Sequence, residues 1–535
     1  MTKTTTGADI IGQMLAGAGA THAFGIPGGE VLALMQGMNA AGLSFVLVKH
    51  ENNGGFFAEG HWHVTGTLPV LVATLGPGVA NAVNVVANAM QDRVPLIFLT
   101  GCINASDASS YTHQIFDHQA VLRPIVKGSF RLERGAIVST LAEALALAQS
   151  GQAGPVHVDV PIDVAESETH ETIVKLPTAP PPRIPDFATL ESIKGVLSGA
   201  RNPIALAGVD AVNANAGAEV SAFCREHHIP LITTYKGKGL LDENDPLSLG
   251  GAGLSPLADS ILLPLVAKAD VILLLGYDPI EMRIGWRNPW GVKQAVIEVA
   301  PDRRSHGMHR VDHLLIGDIR KILTQLAHKS QPHWRDGETN MVRLASRRVF
   351  EGPDNWGPHA VFRILRDELP ADTIATADSG AHRILFSQMW SCTSPRSLLQ
   401  SSGLCTMACA LPLAGGAKMG RPAAPVLCVI GDAGLEMCIG ELATLRDRKL
   451  PVIVCVLVDR NLALIELKQR NTQRPRLGIE FGGSDFTSAA RAFGGYGAVV
   501  TSENSLRTEL ALALIRPTFT VIAADIGPGA YDGAL

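Results

Sequence analysis

"PVLCVIGDAGLEMCIGELATLRDRKLPVIVCVLVDRN" (Pro425 to Asn461) runs from an apolar stretch of strand length through a Gly-containing turn and a helical stretch with an Arg-containing end. A Pro and a second apolar stretch follow, so the segment reads as strand, helix, parallel strand. Leu435, Cys438, Ile439, Leu442 and Leu445 fall on one helical face, the face such a helix turns toward a sheet. The plan recurs in "PVLVATLGPGVANAVNVVANAMQDRVPLIFLTG" (Pro69 to Gly101), which predicts a duplicated α/β domain. Between the copies lie the runs "PIALAGV" (Pro203 to Val209), "PLITTY" (Pro230 to Tyr235) and "DVILLLGY" (Asp270 to Tyr277), separated by helical spacing. The expected fold class is therefore α/β, with three doubly wound parallel-sheet domains.

Consecutive prolines cannot continue a helix or a central strand, so "KLPTAPPPRIPDF" (Lys175 to Phe187) reads as a linker. "HKSQPHWRDGETN" (His328 to Asn340) reads as a second break. The domains expected from these breaks cover residues 1–170, 188–328 and 350–535. A chain of 535 residues is too long for one core, in keeping with that division.

Hydrophobic residues make up 46% and charged residues 18%, a globular balance without the charge excess of disorder. With a net charge of −5 and no run of Lys and Arg, nucleic acid is not an expected partner. The eight cysteines form no CxxC pair and read as buried small hydrophobes in a reducing compartment. "MTKTTTGADI" has no apolar signal region and "PVIVCVLV" is too short to span a bilayer, so a cytoplasmic protein without a membrane partner is expected.

In open parallel sheets ligands sit beyond the carboxyl ends of strands, where Gly76 to Asn81 and Gly431 to Gly434 fall. The site is expected where the two outer domains meet. "GDAG" opens a helix, whose free N–H groups suit phosphate. Asp432 has the wrong charge for phosphate unless a divalent cation lies between them, and Asp459 ends the next strand. Asn461 can add a carbonyl oxygen. Spacing alone leaves two readings open: Asp432, Asp459 and Asn461 as Mg²⁺ ligands, or the two Asp residues as a helix cap and a turn cap.

Gly431-Asp432 with Asp459 and Asn461 resembles the diphosphate-Mg²⁺ motif of thiamine-diphosphate enzymes. "SSGLCTMACALPLAGGAKMGRP" (Ser401 to Pro422) resembles the segment before that motif in the acetolactate synthase group. "AFGIPGGEVLALM", "VKHENNGGFFAEGHWHVTG" and "GPGVANAVNVVANAMQDRVPLIFLTG" resemble its pyrimidine-binding domain in order and spacing. Asp459 in place of a common Asn, with "HQIFD" (His113 to Asp117) and "GYDPIEMRIGW" (Gly276 to Trp286), looks closer to the FAD-independent branch.

The resemblance implies three domains that bind the cofactor pyrimidine, lie centrally, and bind diphosphate and Mg²⁺. It implies thiamine diphosphate and Mg²⁺ as cofactors, with FAD not expected. Glu51 matches the glutamate that bonds the aminopyrimidine ring, and Gly28, Pro77, Gly78 and Asn81 fall in the pyrimidine pocket. Met407 matches the apolar wedge that bends the cofactor, and Leu464 and Ile465 match the wall over its thiazolium. Gly431, Ala433 and Gly434 surround the diphosphate. His382 in "ADSGAHR" reads either as a cofactor-side histidine or as a core histidine. Gln114 and His113 match the substrate side.

The implied reaction is decarboxylation of a small, pyruvate-like 2-oxo acid, with carboligation of the enamine to a second carbonyl. The alternative is the same machinery on another anionic substrate, as in sulfoacetaldehyde acetyltransferases or phosphonopyruvate decarboxylases. A further alternative is a catalytically idle cofactor-binding homologue. Because the family places Glu51 and Asp432 in different subunits, a homodimer or homotetramer with inter-subunit sites is expected. Lys468 stands where biosynthetic members carry Trp, and Lys468 or Arg470 is a candidate for meeting an anionic substrate. Cys405 stands where they carry Gly.

Overall fold

In the computed structural model the described residues are 5–107, 109–173, 183–303, 307–327, 334 and 337–535. The two predicted breaks fall largely outside them. Three sheets of six strands each make the framework, every pairing within them parallel.

The first sheet comprises β1 (His22–Ile26), β2 (Ser44–Leu47), β3 (Val70–Ala73), β4 (Ile97–Cys102), β5 (Gly128–Arg131) and β6 (Val156–Pro161), in the order β2-β1-β3-β4-β6-β5. The middle sheet comprises β7 (Pro203–Ala207), β8 (Leu231–Thr233), β9 (Ser248–Gly251), β10 (Val271–Leu275), β11 (Ala295–Ala300) and β12 (His313–Ile316), in the order β12-β11-β10-β7-β8-β9. The third comprises β13 (Ile374–Ala377), β14 (Leu398–Gln400), β15 (Val426–Gly431), β16 (Ile453–Val458), β17 (Tyr496–Val500) and β18 (Thr520–Asp525), in the order β14-β13-β15-β16-β18-β17. Counted from its own first strand, the third sheet repeats the order of the first. That identity is what the duplicated strand-helix-strand plan requires.

Burial explains the strand composition. All six residues of β4, β6 and β16 are buried, as strands covered by helices on both faces must be. The helix Pro77–Gln91 places Val79, Ala82, Val85, Val86 and Ala89 inward, with Pro77 at its first turn where no N–H is needed. The corresponding stretch after β15 departs from expectation. It is two short helices, Asp432–Cys438 and Glu441–Asp447. At the joint, Leu442 and Ala443 donate to the carbonyls of Ile439 and Gly440, three residues back. The chain tightens for one turn there, while Leu435, Cys438, Leu442 and Leu445 still reach the core.

The outer domains share one hydrophobic core. Helix Glu51–Thr65 lies against helix Ala410–Gly420, and Phe56 and Phe57 pack with Leu411, Leu413 and Ala414. A Cβ at Gly60 would strike the Leu413 carbonyl, and one at Gly416 would strike that of Phe57. Glycine is needed at both because two helix backbones touch there.

Candidate active site

In the third sheet the strand order reverses between β13 and β15, and ligands bind beyond the carboxyl ends of strands at such a point. A cavity of about 230 Å³ lies there. Asp432 follows β15 and Asp459 follows β16, and the pairing of Gly431 with Leu457 brings the two strand ends side by side. Asp432 Oδ2 accepts from the Asp459 and Arg460 N–H groups at 3.2 and 2.7 Å. Asp432 Oδ1 accepts from Ala433 N–H at 2.9 Å, so that N–H turns to the carboxylate and is not the free phosphate donor expected from sequence.

Both carboxylates are buried, 4% and 6% exposed. Burial raises the Asp432 carboxyl, and burial with the nearby Asp432 charge raises Asp459 to about 7. Asn461 Oδ1 is also buried and has no hydrogen-bond partner. Two crowded carboxylates and one orphaned amide oxygen form a hard, oxygen-only donor set, which fits Mg²⁺.

The charge crowding has a testable sign. Asp459→Asn keeps the shape and removes one of two like charges, so the metal-free protein should melt higher. The expected gain is about 2–4 °C per kcal/mol recovered. Differential scanning calorimetry in EDTA measures it, and a lower melting point would mean that no such repulsion exists.

The other cavity residues come from several separate segments. His382 sits in the first turn of helix Ala381–Met389, 7% exposed, and burial lowers its pKa to about 4, so the ring is neutral. His382 lines the cavity and its buried Nε2 has no hydrogen-bond partner, unlike a satisfied core histidine. Met407, Gly431, Ala433, Gly434, Leu464 and Ile465 also line the cavity. Ile465 is 42% exposed.

Asp378, within "ADSGAHR", was not singled out from sequence, yet it organises this wall. Its buried carboxylate accepts from the N–H groups of Ala408, Cys409 and Ala410 at 2.9–3.3 Å and so holds the turn that presents Met407. A Cβ at Gly434 would strike Asp378 Oδ2, so the same carboxylate ties the Met407 turn to the Asp432 turn. An Asp directly after a buried strand at the switch point was the available signal.

Seven cysteines are buried as expected, but Cys405 is exposed and lines the cavity. Its φ of +58° is the left-handed conformation, which glycine adopts without strain. Arg383 Nη2 donates to its Sγ at 3.0 Å. Lys468 is exposed and does not line the cavity, and Arg470 is paired with Glu466 and Asp532. Neither cation reaches the cavity as expected for a substrate contact.

The pyrimidine-side residues gather in the first domain, beyond the ends of β1 and β3. Glu51 opens helix Glu51–Thr65 and is 5% exposed, with Oε2 accepting from Asn81 Nδ2 at 3.0 Å. A Cβ at Gly78 would press on Glu51 Oε1, and one at Gly28 would strike Thr74 Oγ1. Pro77 and Asn81 are exposed beside them. The Gln114 carbonyl covers Gly76, and His113 is exposed.

His118, His157 and Asp159 come close enough to hold a metal, but their bonds exclude one. Gly76 N–H donates to His118 Nε2 at 3.2 Å, so the ring proton sits on Nδ1, 2.8 Å from Asp159 Oδ1. A metal on Nδ1 would put a proton on Nε2, facing that N–H. The group instead anchors Gly76, the left-handed residue that starts helix Pro77–Gln91.

No first-domain residue lines the Asp432 cavity. The outer domains meet through their helices, but within one chain the Glu51 group and the Asp432 cavity are separate. Exposed apolar side chains occur at both: Ile115 and Leu47 at the first, Met437 and Ile465 at the second.

At the middle sheet's switch point, between β7 and β10, a Cβ at Gly276 would strike Ala211 N. The two turns are in backbone contact, and Arg93 from the first domain reaches across to Asp278 at 2.6 Å.

Three stretches match successive domains described for thiamine pyrophosphate enzymes. Residues 5–121 match the N-terminal TPP binding domain, 190–326 the central domain and 378–524 the C-terminal TPP binding domain. The acetolactate synthase large subunit of Parasynechococcus marenigrum is 29% identical, covering 98% of this chain and 88% of the relative. An acetolactate synthase of Bacillus subtilis is 28% identical, covering 94% of this chain and 89% of the relative. The acetolactate synthase isozyme 1 large subunit of Escherichia coli is 29% identical, covering 87% and 84%.

Proposed function

Because the chain belongs to the thiamine pyrophosphate enzymes, we propose that it decarboxylates a small, pyruvate-like 2-oxo acid and joins the remaining fragment to a second carbonyl, as acetolactate synthases do. The observation that carries this reading is the pair of buried carboxylates beside the orphaned Asn461 oxygen, in one cavity with Met407 and His382.

Asp432, Asp459 and Asn461 hold Mg²⁺, which offsets the charge of the diphosphate. Gly431, Ala433 and Gly434, which line the same cavity, would hold the diphosphate. Met407 is the wedge that bends the cofactor, while Leu464 and Ile465 give it a dry wall. The bound thiazolium supplies the electron sink for decarboxylation. Glu51 shares a proton with the aminopyrimidine ring, and Asn81 orients its carboxyl. Gly28, Pro77 and Gly78 leave room for the ring. Gln114 and His113 face the substrate.

Residues 1–170, 188–328 and 350–535 are the pyrimidine-binding, central and diphosphate-binding domains. Two chains combine their half-sites into each complete site, in a homodimer or a dimer of dimers, and the exposed apolar side chains beside each half support that arrangement. FAD is not part of the proposed cofactor set. Among the described residues no helix is long and apolar enough to cross a membrane.

The test is purified protein with thiamine diphosphate, Mg²⁺ and pyruvate, assayed for CO₂ and acetolactate. Both products are expected. Turnover of another anionic 2-oxo acid or of sulfoacetaldehyde, with pyruvate inert, would move the reading to that substrate. Cofactor binding without turnover would mean an idle homologue.

A further inference from the structure

The segment Gly527–Leu535 leaves β18 through left-handed turns at Gly527 and Gly529 and closes on itself, with Asp532 N–H donating to the Gly529 carbonyl and Ala534 N–H to that of Tyr531. Arg470, on helix Ala463–Asn471, holds Asp532 through both guanidinium nitrogens. Leu535 packs with Leu464 against Tyr235, Leu254 and Ile384. The segment is thus fastened to the helix that carries the Leu464 and Ile465 wall.

Its central side chain is Tyr531, 3% exposed, whose ring joins the core of the third domain. Its hydroxyl is buried and has no hydrogen-bond partner, although Tyr531 lines the cavity with Asp432, Asp459 and Asn461. A buried, unpaired hydroxyl is costly, and in a cavity it points to an acceptor that arrives with the ligand. The adjacent carboxylates do not accept from it. A diphosphate that arrives with a cation at those carboxylates brings phosphate oxygens able to accept from this hydroxyl.

We propose that Tyr531 is a cofactor-binding residue whose hydroxyl donates a hydrogen bond to a diphosphate oxygen, making Gly527–Leu535 a wall of the cofactor site. This rests on the proposed cofactor reading. The phenol is a suitable donor, because burial raises its pKa well above the ordinary value.

Tyr531→Phe removes only the hydroxyl and keeps the ring that packs the core. Cofactor-stripped wild type and variant are titrated by calorimetry at saturating Mg²⁺, with thiamine diphosphate and separately with inorganic pyrophosphate. The Kd for both ligands should rise about tenfold, the loss of one hydrogen bond to a charged oxygen. The ligand-free variant should melt at or above the wild-type temperature, since an unpaired buried group has been removed. Unchanged affinity for both ligands, or a ligand-free variant that melts lower, overturns the proposal. If wild type binds neither ligand, the cofactor reading itself fails, which separates the two.

Discussion

Replacing Asp432 by Ala should abolish Mg²⁺-dependent binding of thiamine diphosphate. The side chain has two jobs. Its charge is one of the two that can face a cation, and its oxygens accept three backbone N–H groups, from Ala433, Asp459 and Arg460. Alanine removes both, leaving Asp459 without its cation partner and the turn after β16 without its anchor. Disturbing the outer partners of a metal ligand costs about 10–100-fold in affinity, so losing a ligand outright should cost at least about 100-fold. Calorimetric titration with and without Mg²⁺ measures this. Asp432→Asn retains an acceptor but not the charge, so it should restore the melting temperature without restoring metal-dependent binding. Undiminished binding in the Ala variant would reject this metal site.

Glu51→Gln should stop proton exchange at thiazolium C2 and lower turnover by about 10²–10⁴-fold, the usual contribution of a positioned acid or base. Cofactor affinity should change little. Glu51 is buried, and the amide of Gln has nearly its shape, with a carbonyl oxygen that can still accept from Asn81 Nδ2. What it lacks is a carboxyl proton to share with the ring. Exchange followed by proton NMR in D₂O on the reconstituted protein separates the step from substrate binding. A variant that exchanges at the wild-type rate would remove Glu51 from catalysis.

The elements in the opening stretch were readable because they are local. A buried parallel strand is a short continuous apolar run, and the helix after it shows its inward face every three or four residues. The two Asp residues lie at the ends of successive strands, and adjacent parallel strands end together. The resemblance added the pyrimidine-side residues, and Glu51, Gly78 and Asn81 are in contact in the fold. The joint after Cys438 was not readable, since the same apolar spacing fits one helix or two that share a face.

By itself, then, the sequence determined the three parallel sheets and the side-by-side carboxylates after β15 and β16. These follow from hydrophobic periodicity and strand adjacency within tens of residues. Only the tertiary structure decided which polar atoms lack partners: His382 Nε2, Asn461 Oδ1 and the Tyr531 hydroxyl. It also revealed Asp378 as the tie between two cavity turns and Cys405 as exposed. The physical reason is that an unpaired buried group depends on what every neighbouring segment contributes or withholds. Here those segments lie as far apart as Asp378 and Tyr531, beyond the reach of any local pattern.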